Sequence, residues 1–241
     1  MSDITLFRGP PLEEGPLPAV LYLALSAHDS LHLDPYNQPA IFLQSSPLRV
    51  FSLTLPGHEL LPPTEALRFW ADEIQSGRDV IQDFIQKAKA FVDNLIQRQV
   101  IDATKLGVMG LSRGVFVAAH LAAAIPEISA LLGFAPLTRL KEAQEFEAAN
   151  VDPWDLTHLN DQLYNRAIRC YIGNRDTRVG TQSCFDWISS LAETAYQKRI
   201  SSSPIELIIG PSIGHKGHGT SSAVFKQGAD WLSSLLVNTH D

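Results

Sequence analysis

Leu106-Gly107-Val108-Met109-Gly110-Leu111-Ser112-Arg113-Gly114-Val115 decides the fold of this chain. A short apolar run breaks into Gly-x-Ser-x-Gly and continues as Phe116-Val117-Ala118-Ala119-His120-Leu121-Ala122-Ala123-Ala124. A buried strand is expected to end at Met109, the chain to turn sharply through Leu111-Ser112-Arg113, and a helix to begin there. Gly110 and Gly114 leave room for the turn, because a side chain at either place would press on its neighbour. Ser112 is thereby lifted out of the sheet, with its hydroxyl near the positive end of a helix. The pentapeptide alone carries little weight. The strand before it and the helix after it supply the rest.

Working outward, strand-length apolar runs recur. Ala19-Val20-Leu21-Tyr22-Leu23-Ala24-Leu25 reads as a parallel strand buried on both faces, ending in the polar loop Ser26-Ala27-His28-Asp29-Ser30. Residues 48–55 form a second run, stopped by Pro56-Gly57, and residues 128–134, 167–172 and 205–209 form further ones. Helical stretches lie between them. Pro62-Pro63-Thr64 opens one that reaches about Gln75. Ile81, Phe84, Ile85, Ala88, Phe91, Val92, Leu95 and Ile96 then recur at three and four residues, the pattern of an amphipathic helix. Others follow Ser112 to about Ile125, carry Cys184, Ile188 and Leu191 on one side, and close the chain over 224–236. Residues 1–18 are proline-rich and read as an opening loop or hairpin, and residues 137–166 read as charged, helical and long enough for a small lid. The alternation predicts one α/β domain over 1–241, with a mostly parallel central sheet and helices on both faces.

Composition narrows the function classes. Of 241 residues 45% are apolar and 19% charged, enough to bury a large core. A net charge of −7 with no basic run speaks against nucleic acid and anionic membrane as partners. No apolar run approaches a membrane span. Cys170 in a strand pattern and Cys184 at a helix start read as two buried thiols, and no zinc spacing is present. Met1-Ser2-Asp3-Ile4-Thr5 has no basic region followed by an apolar one, so no secretory leader is read and a reducing cytoplasm is the expected compartment.

Ligands of such sheets bind beyond the carboxyl ends of the strands. The strand before the turn yields Ser112. Residues 167–172 yield Gly173-Asn174-Arg175-Asp176-Thr177-Arg178-Val179, and residues 205–209 yield Gly210-Pro211-Ser212-Ile213-Gly214-His215-Lys216-Gly217-His218-Gly219. A serine, a carboxylate and a histidine thus follow three different strands in that order. Serine is a poor nucleophile at neutral pH and needs a histidine to take its proton. The histidine needs a carboxylate to fix its tautomer and stabilise the imidazolium.

On these segments the chain resembles the α/β-hydrolase superfamily, and most closely its prolyl-oligopeptidase and dienelactone-hydrolase-like esterase branches. The resemblance spans roughly residues 17–236. It implies Ser112 as nucleophile, Asp176 as orienting acid and His215 as general base, with His218 as the alternative base. It further implies an oxyanion hole from the backbone N–H of Arg113 and a second N–H after the first core strand, at Ala27. Two departures stand out. Leu25-Ser26-Ala27-His28 replaces the His-Gly that many members carry after that strand, and Gly114-Val115 follows Arg113 where Gly-Gly is common. The activity implied is hydrolysis of a small ester or related acyl compound through an acyl-enzyme, with no cofactor or metal. A small serine peptidase and a non-catalytic binding protein on the same fold are the alternatives.

Other polar residues read more plainly. His120 lies within the helix after the serine and reads as structural, and Asp155 and Asp186 follow no strand. His28 and His32 are spaced as a metal pair, but Asp34-Pro35 marks a loop there, and His58 reads as a turn residue or a pocket-rim one. Arg113, Arg175 and Arg178 bracket two of the three catalytic positions. They read either as solvated charge and ion pairs or as a grip on an anionic substrate group, with Arg113 foremost.

Overall fold

Residues 6–237, the residues described by the computed structural model, alternate strand and helix as the apolar runs require. In chain order they form β1 (Phe7–Arg8), β2 (Leu17–Leu23), α1 (Ala27–His32), α2 (Gln38–Leu43), β3 (Arg49–Ser52), α3 (Ala66–Gln75) and α4 (Val80–Gln97). Then follow β4 (Ile101–Leu111), α5 (Arg113–Ala124), β5 (Ile128–Phe134), α6 (Asn160–Leu163), β6 (Ala167–Gly173), α7 (Thr181–Gln197), β7 (Ile205–Gly210) and α8 (Ser222–Val237). The seven strands make one sheet in the order β1-β3-β2-β4-β5-β6-β7. Only β1 runs antiparallel to its neighbour; every other pairing is parallel.

Both faces of the sheet are covered, which is why the strands read as continuous apolar runs. Successive side chains of a strand point to opposite faces. Ala19, Leu21 and Leu23 of β2 therefore pack with α3, α4, α5 and α7, whereas Val20 and Tyr22 pack with α1, α2 and α8. The amphipathic stripe of α4 is buried as its spacing predicts, and the Asp79 carboxylate caps that helix by accepting from the Gln82 N–H at 2.9 Å.

Several expectations change in detail. The second strand holds the sheet only over Arg49–Ser52 rather than 48–55, and the first central strand ends at Leu23. The helix expected from Pro62 begins at Ala66. The polar stretch after β2 is not a loop but the short helix α1, started by Ser26, whose side chain accepts from the Asp29 N–H. Residues 137–166 are not continuously helical. They form four 3₁₀ turns and the single turn of α6, and they bury Leu140, Phe146, Leu156 and Leu163 in the main core.

The opening segment is held by Arg49, a fully buried side chain whose guanidinium donates to the carbonyls of Pro10, Pro11, Gly15 and Val100. Residues 1–5 of that segment, including the stretch read for a leader, lie outside the described residues. No helix among the described residues is long and apolar enough to cross a membrane. Cys170 and Cys184 are both buried free thiols, and burial raises both, Cys184 to about 12.

Candidate active site

The turn between β4 and α5 forms at Ser112 as expected, although β4 runs on to Leu111 rather than ending at Met109, and it forms at a cost. Ser112 sits at φ 56° and ψ −120°, a region that non-glycine residues rarely occupy. The surroundings hold it there. Its N–H donates to the Phe134 carbonyl at 2.8 Å, and its own carbonyl accepts from the Val115 N–H at 3.0 Å. The two glycines are needed for space: a Cβ on Gly114 would lie 1.9 Å from the Leu23 carbonyl oxygen, and one on Gly110 would lie 2.4 Å from the Val115 nitrogen. Helix α5 thus crosses directly under the end of β2, and Ser112 stands above the carboxyl edge of the sheet.

Asp176 arrives from the loop after β6. It is 3% exposed. One carboxylate oxygen, Oδ1, accepts from the N–H groups of Arg178 at 2.9 Å and Val179 at 3.2 Å. The backbone on the other side is clamped by Thr181, whose hydroxyl accepts from the Asp176 N–H and donates to the Gly173 carbonyl. The second carboxylate oxygen, Oδ2, is left to face a histidine.

That histidine is His218. Its Nδ1 lies 2.7 Å from Asp176 Oδ2 and its Nε2 lies 2.9 Å from Ser112 Oγ. A carboxylate only accepts, so Nδ1 carries the proton and Nε2 is free to accept from the serine hydroxyl. His215, the expected base, is exposed and makes no hydrogen bond to Ser112 or Asp176. The correction has a backbone cause. Ile213 and Gly219 pair as an isolated bridge, and the turn between them carries His215 and Lys216 out into solvent. Gly217, at φ 70°, then comes so close to the Arg175 carbonyl that a Cβ would lie 2.0 Å from its oxygen. The next residue is set down over Asp176. Hydrogen bonds between the two loops fix the approach: the Arg175 N–H donates to Ser212 Oγ at 2.6 Å, and the Thr177 N–H donates to the Lys216 carbonyl at 2.9 Å.

The second expected N–H donor is also corrected. Ala27 lies within the first turn of α1, and its N–H donates to Thr54 Oγ1 at 2.9 Å. The Leu25 N–H is likewise taken, by Ser30 Oγ at 3.0 Å. The Arg113 N–H differs, because the first residue of a helix has no intrahelical acceptor.

Two clefts meet at Ser112. One, of about 440 Å³, is walled by Leu25, Pro35, Tyr36, Leu111 and Phe225 and includes Arg113, Arg178 and His218. The other, of about 320 Å³, is more polar, with Glu142, Glu145, Arg178 and Lys216 on its walls. Gln144 and its neighbours in the 137–166 segment border this second cleft, so that segment helps to shape the site. Arg113 is 7% exposed, and burial together with the nearby Arg178 charge lowers it to about 10, which leaves it protonated at neutral pH. Arg175 lines neither cleft.

The remaining candidates fall elsewhere. His120 is pulled down to about 4 by burial, its Nε2 3.2 Å from the Trp154 carbonyl oxygen. His58 is buried, not at the rim, and burial with the Arg113 charge beside it also lowers it to about 4. Asp155 pairs with Arg139, and Asp186 accepts from Gln182. His28 and His32 do lie on a helix, with ring centroids 4.9 Å apart, but His32 Nδ1 faces the Arg8 guanidinium. Among the described residues no group of three or more His, Cys, Asp or Glu side chains is placed to hold a metal ion.

No family model and no curated protein matches the sequence. Solved structures do match the fold. The Thermus thermophilus protein TT1662 aligns over 93% of this chain and 91% of its own, with a TM-score of 0.67 and 16% identity. The Pyrococcus furiosus esterase Pf2001 aligns over 92% of this chain and 81% of its own, at 0.60 and 17%. Prolyl oligopeptidase B from Galerina marginata aligns over 91% of this chain at 0.64 and 18%, but the chain spans only 32% of its length.

Proposed function

Because the chain has the α/β-hydrolase fold, we propose that it is a serine hydrolase that cleaves a small carboxylic ester through an acyl-enzyme on Ser112. The observation that carries this reading is the unbroken contact line from Ser112 Oγ through His218 to the buried Asp176 carboxylate. The strained backbone of Ser112 supports it, since such strain gathers where a side chain must be presented.

In this reading Ser112 Oγ attacks the ester carbonyl while His218 Nε2 takes its proton. The imidazolium so formed is stabilised by Asp176, whose other oxygen is already held by two N–H groups. Negative charge on the former carbonyl oxygen faces the Arg113 N–H at the positive end of α5. His218 returns the proton to the leaving alcohol, and the acyl group stays on Ser112. A water molecule, deprotonated by the same histidine, then releases the acid.

Turnover of a short-chain p-nitrophenyl ester by the purified protein tests the reading, with Ser112→Ala alongside. The expected result is hydrolysis that the variant lowers by at least about a thousandfold. Turnover that survives in Ser112→Ala would contradict it. So would a folded wild type that cleaves a peptide anilide but no ester, which would favour a peptidase.

A further inference from the structure

The larger cleft beside Ser112 is mostly apolar, yet its wall includes Arg113 and Arg178 and no carboxylate. In a chain of net charge −7 this is a local reversal of sign. Three arginines elsewhere pair with acids: Arg78 with Glu73, Arg139 with Asp155 and Arg169 with Glu206. The smaller cleft is balanced too, with Glu142 and Glu145 set among Arg178 and Lys216.

Arg113 is the unusual member. It is nearly buried, but among the described residues its side chain makes one hydrogen bond, from Nη1 to the Pro63 carbonyl at 2.9 Å. Among the described residues Nε and Nη2 donate to no protein group, and neither is sealed from solvent. These two nitrogens form the edge of the guanidinium whose parallel N–H groups match the two oxygens of a carboxylate. Glu145 on the smaller cleft acts on Arg113 but makes no ion pair with it among the described residues, so the mostly buried cation is only partly compensated and an arriving anion relieves the cost. Alanine, leucine and proline side chains make up much of this wall, and its side-chain oxygens are the neutral hydroxyls of Tyr36, Thr64, Ser112 and Thr220.

We propose that the substrate is an ester carrying a free carboxylate, gripped by the Nε and Nη2 edge of Arg113 with the exposed Arg178 as a second charge at the same cleft. This substrate class rests on the serine hydrolase reading above. The residue after the nucleophile then has two tasks: its backbone faces the oxyanion and its side chain holds the far end of the acyl group. A carboxylate a few bonds from the scissile carbonyl would fit both, with the apolar wall taking the methylenes between them.

The test compares two aryl esters of equal length, the p-nitrophenyl half-ester of glutaric acid and p-nitrophenyl pentanoate, after subtraction of uncatalysed rates. Wild type is expected to show kcat/KM at least about tenfold higher on the half-ester, with the preference weakening as salt rises. Arg113→Met is expected to abolish the preference by losing far more on the half-ester than on the pentanoate. Equal kcat/KM on the two esters in wild type, or a preference that persists in Arg113→Met, overturns the proposal and leaves the hydrolase reading standing. If Arg113→Met does not fold, Arg178→Met at its exposed position serves instead: the preference falls by about threefold or more, and an unchanged preference overturns the proposal. Loss of turnover on both esters by folded wild type, with Ser112 inert to a fluorophosphonate, overturns the hydrolase reading and this substrate class together.

Discussion

Replacing Gly217 by alanine should separate His218 from its partners without touching any of the three side chains. The new Cβ would lie 2.0 Å from the Arg175 carbonyl oxygen and 2.8 Å from its carbon. Restoring an ordinary carbon–oxygen contact requires the two loops to part by roughly 1 Å. His218 is the next residue, and its two contacts, 2.7 Å to Asp176 and 2.9 Å to Ser112, tolerate no such displacement. A shift of that size costs on the order of 100-fold in rate. The left-handed φ of 70° adds about 1 kcal/mol of local strain. Gly214→Ala is the control. Gly214 is also left-handed, at φ 80°, but a Cβ there meets nothing within 4 Å, so only the backbone strain remains. Steady-state kinetics on a neutral aryl ester, with thermal melts for both variants, gives the comparison. Gly217→Ala should fold and lose about 100-fold in kcat/KM, whereas Gly214→Ala should lose a small fraction of that. Equal activities in the two variants would refute the reasoning.

Two further predictions concern stability. His58 and His120 are held near 4 by burial, against an unfolded value of 6.5, so the unfolded chain binds protons that the native one refuses. Stability should therefore fall as pH drops from 6.5 toward 4, by roughly 2 kcal/mol per histidine between pH 7 and pH 5. Urea midpoints across that range check it, and His120→Phe should flatten the curve. Arg49→Met should destabilise by about 3 kcal/mol or more, because the Pro10 and Gly15 carbonyls lose their donor while those of Pro11 and Val100 keep only the Glu14 and Leu17 N–H groups; a change below about 1 kcal/mol in chemical denaturation would show that water replaces the guanidinium.

What the sequence made legible is what local pattern encodes. The apolar runs of β2, β4, β5, β6 and β7, the stripe of α4 and the glycine-flanked turn at Ser112 are each decided by neighbours in the chain. Strand alternation then fixes the sheet, and placement after β6 marks Asp176. Misreadings arise where distant segments decide. His218 rather than His215 faces the serine because Gly217 touches Arg175, a contact with no period in the sequence. Ala27 is lost as an oxyanion donor because Thr54, from another strand end, takes its N–H. Helices α1 and α2 have six residues each, too few to establish a helical period. The 137–166 segment is charged on the page, but its scattered Leu140, Phe146 and Leu156 pull it into the core as isolated 3₁₀ turns. The role of Thr181 in clamping Asp176 has no sequence signal beyond its nearness to that residue.

The most direct test of the account is the rate at which a fluorophosphonate labels Ser112 in wild type, His218→Ala and His215→Ala. A serine activated by His218 predicts fast labelling of wild type, a loss of about 100-fold or more in His218→Ala, and the wild-type rate in His215→Ala. Labelling that survives in His218→Ala and fails in His215→Ala, or a folded wild type that does not label at all, would contradict it.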